Sequence, residues 1–187
     1  MNEGRIILGI DPGTNILGFG VVRAIGRKVE FIDMGILDLR KEKDTYSKLR
    51  QIYDTVSEVC KSYHPTEMAL ESPFYGKNAQ VILKLGRAQG AAMIAGMEYG
   101  IADIFEYAPR KAKQAITGNG AASKEQVRTL LEKTLHVDLS TKHLDATDGL
   151  AIALCHFYET TSPLACAGGG KGGWEKFIAE NPDRVKK

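Results

Sequence analysis

The sequence predicts an α/β fold, a mixed five-stranded sheet flanked by helices. Three observations carry this reading. A short apolar run near the start stops at a carboxylate and a Pro-Gly turn. Two further strand-like runs follow it at hairpin spacing. From residue 46 onward the apolar period changes from strand to helix, with two short apolar runs between the helices. Hairpins followed by strands joined through helical crossovers make the sheet mixed and pack helices on it.

Taken in order, Arg5 to Asp11 (RIILGID) reads as a buried strand closed by the turn Pro12-Gly13. Gly18 to Ile25 and Val29 to Leu39 pair with it as antiparallel strands. Tyr46, Leu49, Ile52, Tyr53, Val56, Val59, Cys60 and Tyr63 recur every three or four residues, one apolar stripe on a helix that Pro65 ends. Met68 to Glu71 is a short fourth strand, Asn78 to Tyr99 a second helix and Ile101 to Tyr107 a fifth strand. Shorter helices lie near Arg110 to Ile116 and at Lys124 to Leu135, the latter opened by Ser123 and Gln126 at capping-box spacing. The last helix runs from about Leu144 to Thr160. Gly149 lies inside it, where glycine costs about 1 kcal/mol against alanine. A glycine there leaves room for another backbone to come close.

The chain has 187 residues, the length of one domain, and is long enough to bury a core without disulfides or a structural metal. Residues 1–163 form that domain. Residues 164–187 form a tail that opens on Ala167 to Gly173 (AGGGKGG), five glycines in seven residues and a flexible linker by composition. Beyond it Trp174, Phe177 and Ile178 share helical spacing. Hydrophobic and charged fractions of 43% and 26% are those of a soluble globular protein. No apolar stretch approaches the ~18–20 residues of a membrane span, and the first apolar run ends too early for a signal peptide. Cys60, Cys155 and Cys166 show no metal-ligand spacing, and the first two sit in helical patterns as small core residues. A reducing compartment, the cytoplasm, is expected.

The chemistry begins with four carboxylates. Asp11 and Glu71 each end a strand. Asp145 and Asp148, three residues apart, share one face in the first turns of the last helix. If that helix packs beside the strands, the four converge, and their mutual repulsion calls for cations between them. Oxygen-only ligation suits magnesium, and two such ions about 4 Å apart form a device for phosphodiester cleavage. Singly, Asp11 before Pro-Gly also reads as a turn starter, and the helix pair as a complement to the helix dipole.

LGIDPGTNILGFGVV (Leu8 to Val22), ALESPFYGKNA (Ala69 to Ala79), LKLGRAQG (Leu83 to Gly90), FEYAPRKAKQAITGNGAASKEQV (Phe105 to Val127) and LDATDGLAIALCH (Leu144 to His156) resemble, in order, the motifs of the RuvC family. The resemblance implies a ribonuclease H-like fold. It also implies a magnesium-dependent homodimer that nicks two opposing strands of a four-way (Holliday) DNA junction symmetrically, leaving 5′-phosphate and 3′-hydroxyl ends. By position, Asp11, Glu71, Asp145 and Asp148 match the family's metal-binding acids. They would hold two Mg2+ ions per subunit, with Mn2+ as a possible substitute: one ion to generate hydroxide, the other to stabilise the leaving oxygen. Lys113 and Lys124 match basic residues beside the acids, suited to stabilising charge on the phosphate. Phe74 matches an aromatic that meets bases near the junction centre, with Tyr75 beside it. Lys77, Asn78, Lys84 and Arg87 continue along the helix start toward phosphates. The RuvA–RuvB branch-migration complex is implied as a partner, and no membrane is.

The weak net charge of +2 agrees with this. Without the four acids the formal balance is +6, and between Pro109 and Lys133 six basic residues, Arg110, Lys111, Lys113, Lys124, Arg128 and Lys133, face two acids. A basic strip beside an acidic centre holds a DNA backbone next to metals. The alternatives are a ribonuclease H-like nuclease acting on RNA and a non-catalytic junction-binding module. A third, a phosphate-binding ATPase suggested by GIDPGT (Gly9 to Thr14), requires two lobes, and 187 residues hold one.

Overall fold

The computed structural model describes residues 4–73, 78–140 and 142–161. Phe74, Tyr75, Lys77 and the Gly-rich tail therefore lie outside the described residues. The elements follow in the order β1 (Arg5–Asp11), β2 (Ile16–Ile25), β3 (Lys28–Asp38), α1 (Thr45–Tyr63), β4 (Glu67–Glu71), α2 (Ala79–Glu98), β5 (Asp103–Tyr107), α3 (Pro109–Thr117), α4 (Lys124–Leu135) and α5 (Leu144–Thr161). The strands form one sheet in the order β3-β2-β1-β4-β5. β1, β2 and β3 pair antiparallel, whereas β4 is parallel to β1 and β5 parallel to β4. The expected mixed sheet is the one observed.

Side chains of successive strand residues point to opposite faces, so the sheet carries two cores. Leu8, Ile10, Leu17, Val21, Met68 and Leu70 face α1 and α2, where they meet Ile52, Val56, Ala88 and Ala92. Ile7, Val22, Ala24 and Met34 face α5 and α4, where they meet Leu131, Leu150, Ala153 and Leu154. Cys60 and Cys155 are free and buried, and burial pushes their thiols up to about 11 and about 12, so both act as inert core residues.

The helices begin where their capping residues stand. The carboxylate of Asp44 accepts from Tyr46 N and Ser47 N at the start of α1, and Asn78 Oδ1 accepts from Gln80 N and Val81 N at the start of α2. Ser123 and Gln126 close the expected capping box of α4. One member of the α1 stripe departs from expectation. Tyr46 is 83% exposed, because the first turn of α1 projects past the apolar face that its later turns cover.

α5 lies against β1 and β2 more closely than side chains would permit. Gly9, Gly18 and Gly20 share the α5 face of the sheet, since Gly9 pairs with Gly20 and Asp11 with Gly18. A Cβ on Gly9 or Gly20 would run into the α5 backbone at Gly149, Leu150 or Ala153. On the helix side, a Cβ on Gly149 would stand 2.6 Å from Phe19 Cα and 2.7 Å from Phe19 N. This close approach answers the cost of a glycine inside α5.

Candidate active site

The acids meet because of register and face. Gly9 pairs with Ala69 and Ile10 with Leu70 across the parallel β1–β4 ladder, so Asp11 and Glu71 end adjacent strands side by side. Ile10 and Leu70 point into the α1–α2 core, and the alternation turns Asp11 and Glu71 to the opposite face, toward α5. α5 begins at Leu144 and presents Asp145 and Asp148 in its first two turns. The Gly18 position, which touches the Asp145 carbonyl, brings that helix start against the β1–β2 pair. All four carboxylates are half-buried.

Their electrostatics record the crowding. Burial raises the Glu71 carboxyl well above the usual range, and the neighbouring charge of Asp11 and a hydrogen bond donated to it push further. Asp11 is also raised, by burial first; its bond with Glu71 and the charge of Lys124 work against the rise. Crowding thus favours the protonated form at this pair of strand ends. Burial likewise raises Asp148, against the pull of Lys124. Lys124, the first residue of α4, bridges the helix pair, 3.0 Å from Asp145 Oδ1 and 2.5 Å from Asp148 Oδ2. Burial disfavours its charge, but the bonds to Asp148 and Asp145 outweigh burial and hold its ammonium above the ordinary lysine range.

Among the described residues, no three Asp, Glu, His or Cys side chains gather closely enough to grip a metal ion as they stand. Asp11 and Glu71 are crowded at the strand ends, and Lys124 spans the other two. The donor set nevertheless fits a hard divalent cation: four half-buried carboxylates offering only oxygen, whose repulsion is relieved in part by the Lys124 ammonium. A cation between them does the same work at higher charge.

The remaining expected site residues are distributed as follows. Lys113 is half-buried on α3, which packs on α4 and α5 at the acid-bearing face. Arg110 is exposed, its side chain lying against Gly120. Lys111 turns the other way, 2.7 Å from Glu159 near the end of α5 and 5.4 Å above the Tyr107 ring. Asn78 spends its side-chain oxygen on the α2 cap, and Lys84 and Arg87 are exposed one and two turns further on.

Two supports were not legible beforehand. Lys48 reaches from α1 to the turn after Asp11, its Nζ donating to the Thr14 carbonyl at 2.9 Å. His156, fully buried, lies 2.7 Å from Tyr107 Oη through Nδ1 and 2.8 Å from Glu67 Oε2 through Nε2, while Arg5 donates to the same Glu67 carboxylate. A neutral imidazole with its proton on Nε2 satisfies both partners. This chain ties α5 to β4 and β5, and the Tyr107 carbonyl accepts from Ser72 N, the residue after Glu71. The one sequence signal for it was a histidine ending an otherwise apolar helix stretch, ALCH.

A ribonuclease H-like sheet with carboxylates at two adjacent strand ends and on one abutting helix defines a phosphodiester-cleaving nuclease. Comparison with known proteins narrows the class. Residues 7–156 match the family model described as crossover junction endodeoxyribonuclease RuvC. The protein of that name from Bacteroides fragilis is 54% identical over 185 residues, covering 97% of this chain and 96% of its own length. The one from Christiangramia forsetii is 51% identical, covering 97% and 93%. Among solved structures, T. thermophilus RuvC in complex with a Holliday junction substrate superposes with a TM-score of 0.76 at 30% identity, covering 84% of this chain and 95% of that one. The yeast mitochondrial Holliday junction resolvase Ydc2, at 12% identity and a TM-score of 0.60, shares the fold. The chain belongs to the RuvC family of crossover junction endodeoxyribonucleases, and membership implies dependence on a divalent metal.

Proposed function

We propose that this protein resolves four-way DNA junctions in recombination and repair, nicking two opposing strands symmetrically to leave 5′-phosphate and 3′-hydroxyl ends. The observation that carries the reading is the meeting of Asp11, Glu71, Asp145 and Asp148 at one end of the sheet with Lys124 among them. Asp11, Glu71, Asp145 and Asp148 would hold two Mg2+ ions, for which Mn2+ could substitute. Bound there, such ions would supply Lewis acidity and an activated water for attack on a phosphodiester. Lys124, beside Asp145 and Asp148, would present its ammonium to the phosphate, and Lys113 would add a second positive charge from α3. Phe74 and Tyr75 stack on bases at the junction centre, while Lys77, Asn78, Lys84, Arg87, Arg110 and Lys111 hold phosphates.

Paired nicks on a two-fold junction require two active sites, so the working form is a homodimer. α2 is the interface: Ile94 and Met97 are 62% and 58% exposed there with no partner among the described residues. The protein acts in the cytoplasm together with the RuvA–RuvB branch-migration complex. No described helix is long and apolar enough to cross a membrane. Replacing Asp11 tests the catalytic assignment. Asp11→Asn keeps the scaffold and junction binding but abolishes Mg2+-dependent cleavage. An Asp11→Asn protein that has lost its fold by circular dichroism would make Asp11 a structural residue instead.

A further inference from the structure

A cavity of about 160 Å³ opens at the carboxylate end of the sheet on the face opposite the acids, between the turn after Asp11, the first turn of α1 and the middle of α2. Its floor is apolar and buried, formed by Leu39, Ile52 and Ala88. Its rim carries three lysines, Lys43, Lys48 and Lys84, against a single acid, Asp44. That acid is already engaged. Asp44 accepts from Tyr46 N, Ser47 N and Ser47 Oγ, and these bonds hold its carboxyl below the usual range. Lys48 lines the cavity, is anchored to the Thr14 carbonyl, a partner without formal charge, and makes no ion pair among the described residues. Lys43 and Lys84 are exposed, and the ion pairs made by lysines among the described residues are those of Lys111 and Lys124.

Three like charges around one small cavity repel one another, and an anion relieves the repulsion. The apolar floor beneath them favours a ligand with a carbon skeleton below its charge. Tyr46 follows the rim residue Thr45 in the chain and is 83% exposed. We propose that the cavity is a nucleotide site for a DNA strand: the lysine rim takes a backbone phosphate, the floor its deoxyribose, and Tyr46 the face of the attached base. The site rests on the nuclease reading above and extends it, because the acidic centre and this rim lie on opposite faces of the same sheet end. A strand curving around that end meets both. The bound nucleotide lies outside the scissile step.

The test uses the full chain carrying Asp11→Asn, and follows binding of a synthetic four-way junction by fluorescence anisotropy between 50 and 300 mM salt. Adding Lys43→Gln and Lys84→Gln is expected to flatten the plot of log K against log salt by about 0.9 for each phosphate left without its lysine. The melting temperature should stay unchanged, since both side chains are exposed. Lys61→Gln, an exposed lysine at the far end of α1, should leave the slope alone. Tight junction binding with an unaltered slope in the double variant would overturn the site and leave the nuclease reading standing. Failure of the parent protein to bind any junction would overturn both. Thymidine monophosphate, titrated into the same proteins and followed by thermal shift, separates the two sources of a phosphate. Lysine-dependent stabilisation by the free nucleotide with no change in the junction slope would overturn the assignment to a DNA strand.

Discussion

Glu71 shows how a strand terminus becomes a chemical group. It stands beside Asp11 because β1 and β4 are parallel and in register, and its carboxyl is raised because it is half-buried next to that second acid. A carboxyl raised in the folded state retains a proton that the unfolded chain has released. Its destabilising effect is therefore absent below pH 4.5, the ordinary glutamate value, and grows as pH rises toward the folded-state value. Glu71→Gln removes that effect. In chelator at pH 8 the variant should melt several degrees above the wild type, and the two should converge near pH 4. A wild-type protein whose melting temperature in chelator is flat from pH 5 to pH 8, and unchanged by Glu71→Gln, would mean that the acids do not crowd. At this scale the four carboxylates were legible, since a strand end and a helix start can be read locally. Lys48 and His156 were not. Their roles depend on Thr14, Tyr107 and Glu67, partners between 34 and 89 residues away that no local pattern reveals.

At the scale of elements, the approach of α5 to β1 and β2 sets where Asp145 and Asp148 stand. Gly9, Gly18, Gly20 and Gly149 let two backbones come together, and the acids follow from that approach. Gly149→Ala places a methyl group against the β2 backbone, which cannot retreat as a flexible side chain would. It should cost about 1–3 kcal/mol, several degrees of melting temperature, despite the better helix propensity of alanine. A variant as stable as the wild type would show that the helix can stand off the sheet. Each strand and helix was legible, from apolar runs, turn signals, hairpin spacing, the helical period of α1 and the capping box at Ser123, and Asp44, Asn78 and Ser123 cap three helix starts. The errors were at the ends. β2 begins at Ile16, before Gly18, and β5 at Asp103, after Ile101, because ladder partners decide strand ends. Tyr46 continues the helical period of α1 and yet points to solvent, since a period locates a face but not how far the neighbouring layer reaches.

At the scale of the whole molecule, the sheet end gathers opposite charges: acids and Lys124 on the α5 face, and the lysine-rimmed cavity on the α1–α2 face. The mild net charge of +2 concealed this, because a sum over the chain averages the two faces together. α2 carries the other whole-molecule feature, the exposed apolar pair Ile94 and Met97. Replacing both with aspartate should shift the protein from dimer to monomer in sedimentation velocity without unfolding it, and a monomeric wild type on junction DNA would remove the basis for paired nicks.

Cleavage of a DNA junction by the four acids can be measured directly. The direct measurement incubates the protein with a labelled synthetic four-way junction in Mg2+ and in chelator, with linear duplex and an RNA hairpin alongside. Symmetric nicks on opposing strands of the junction, in Mg2+ alone and on neither control, are predicted. Cutting of the RNA, or tight junction binding with no cleavage at any Mg2+ concentration, would contradict the account.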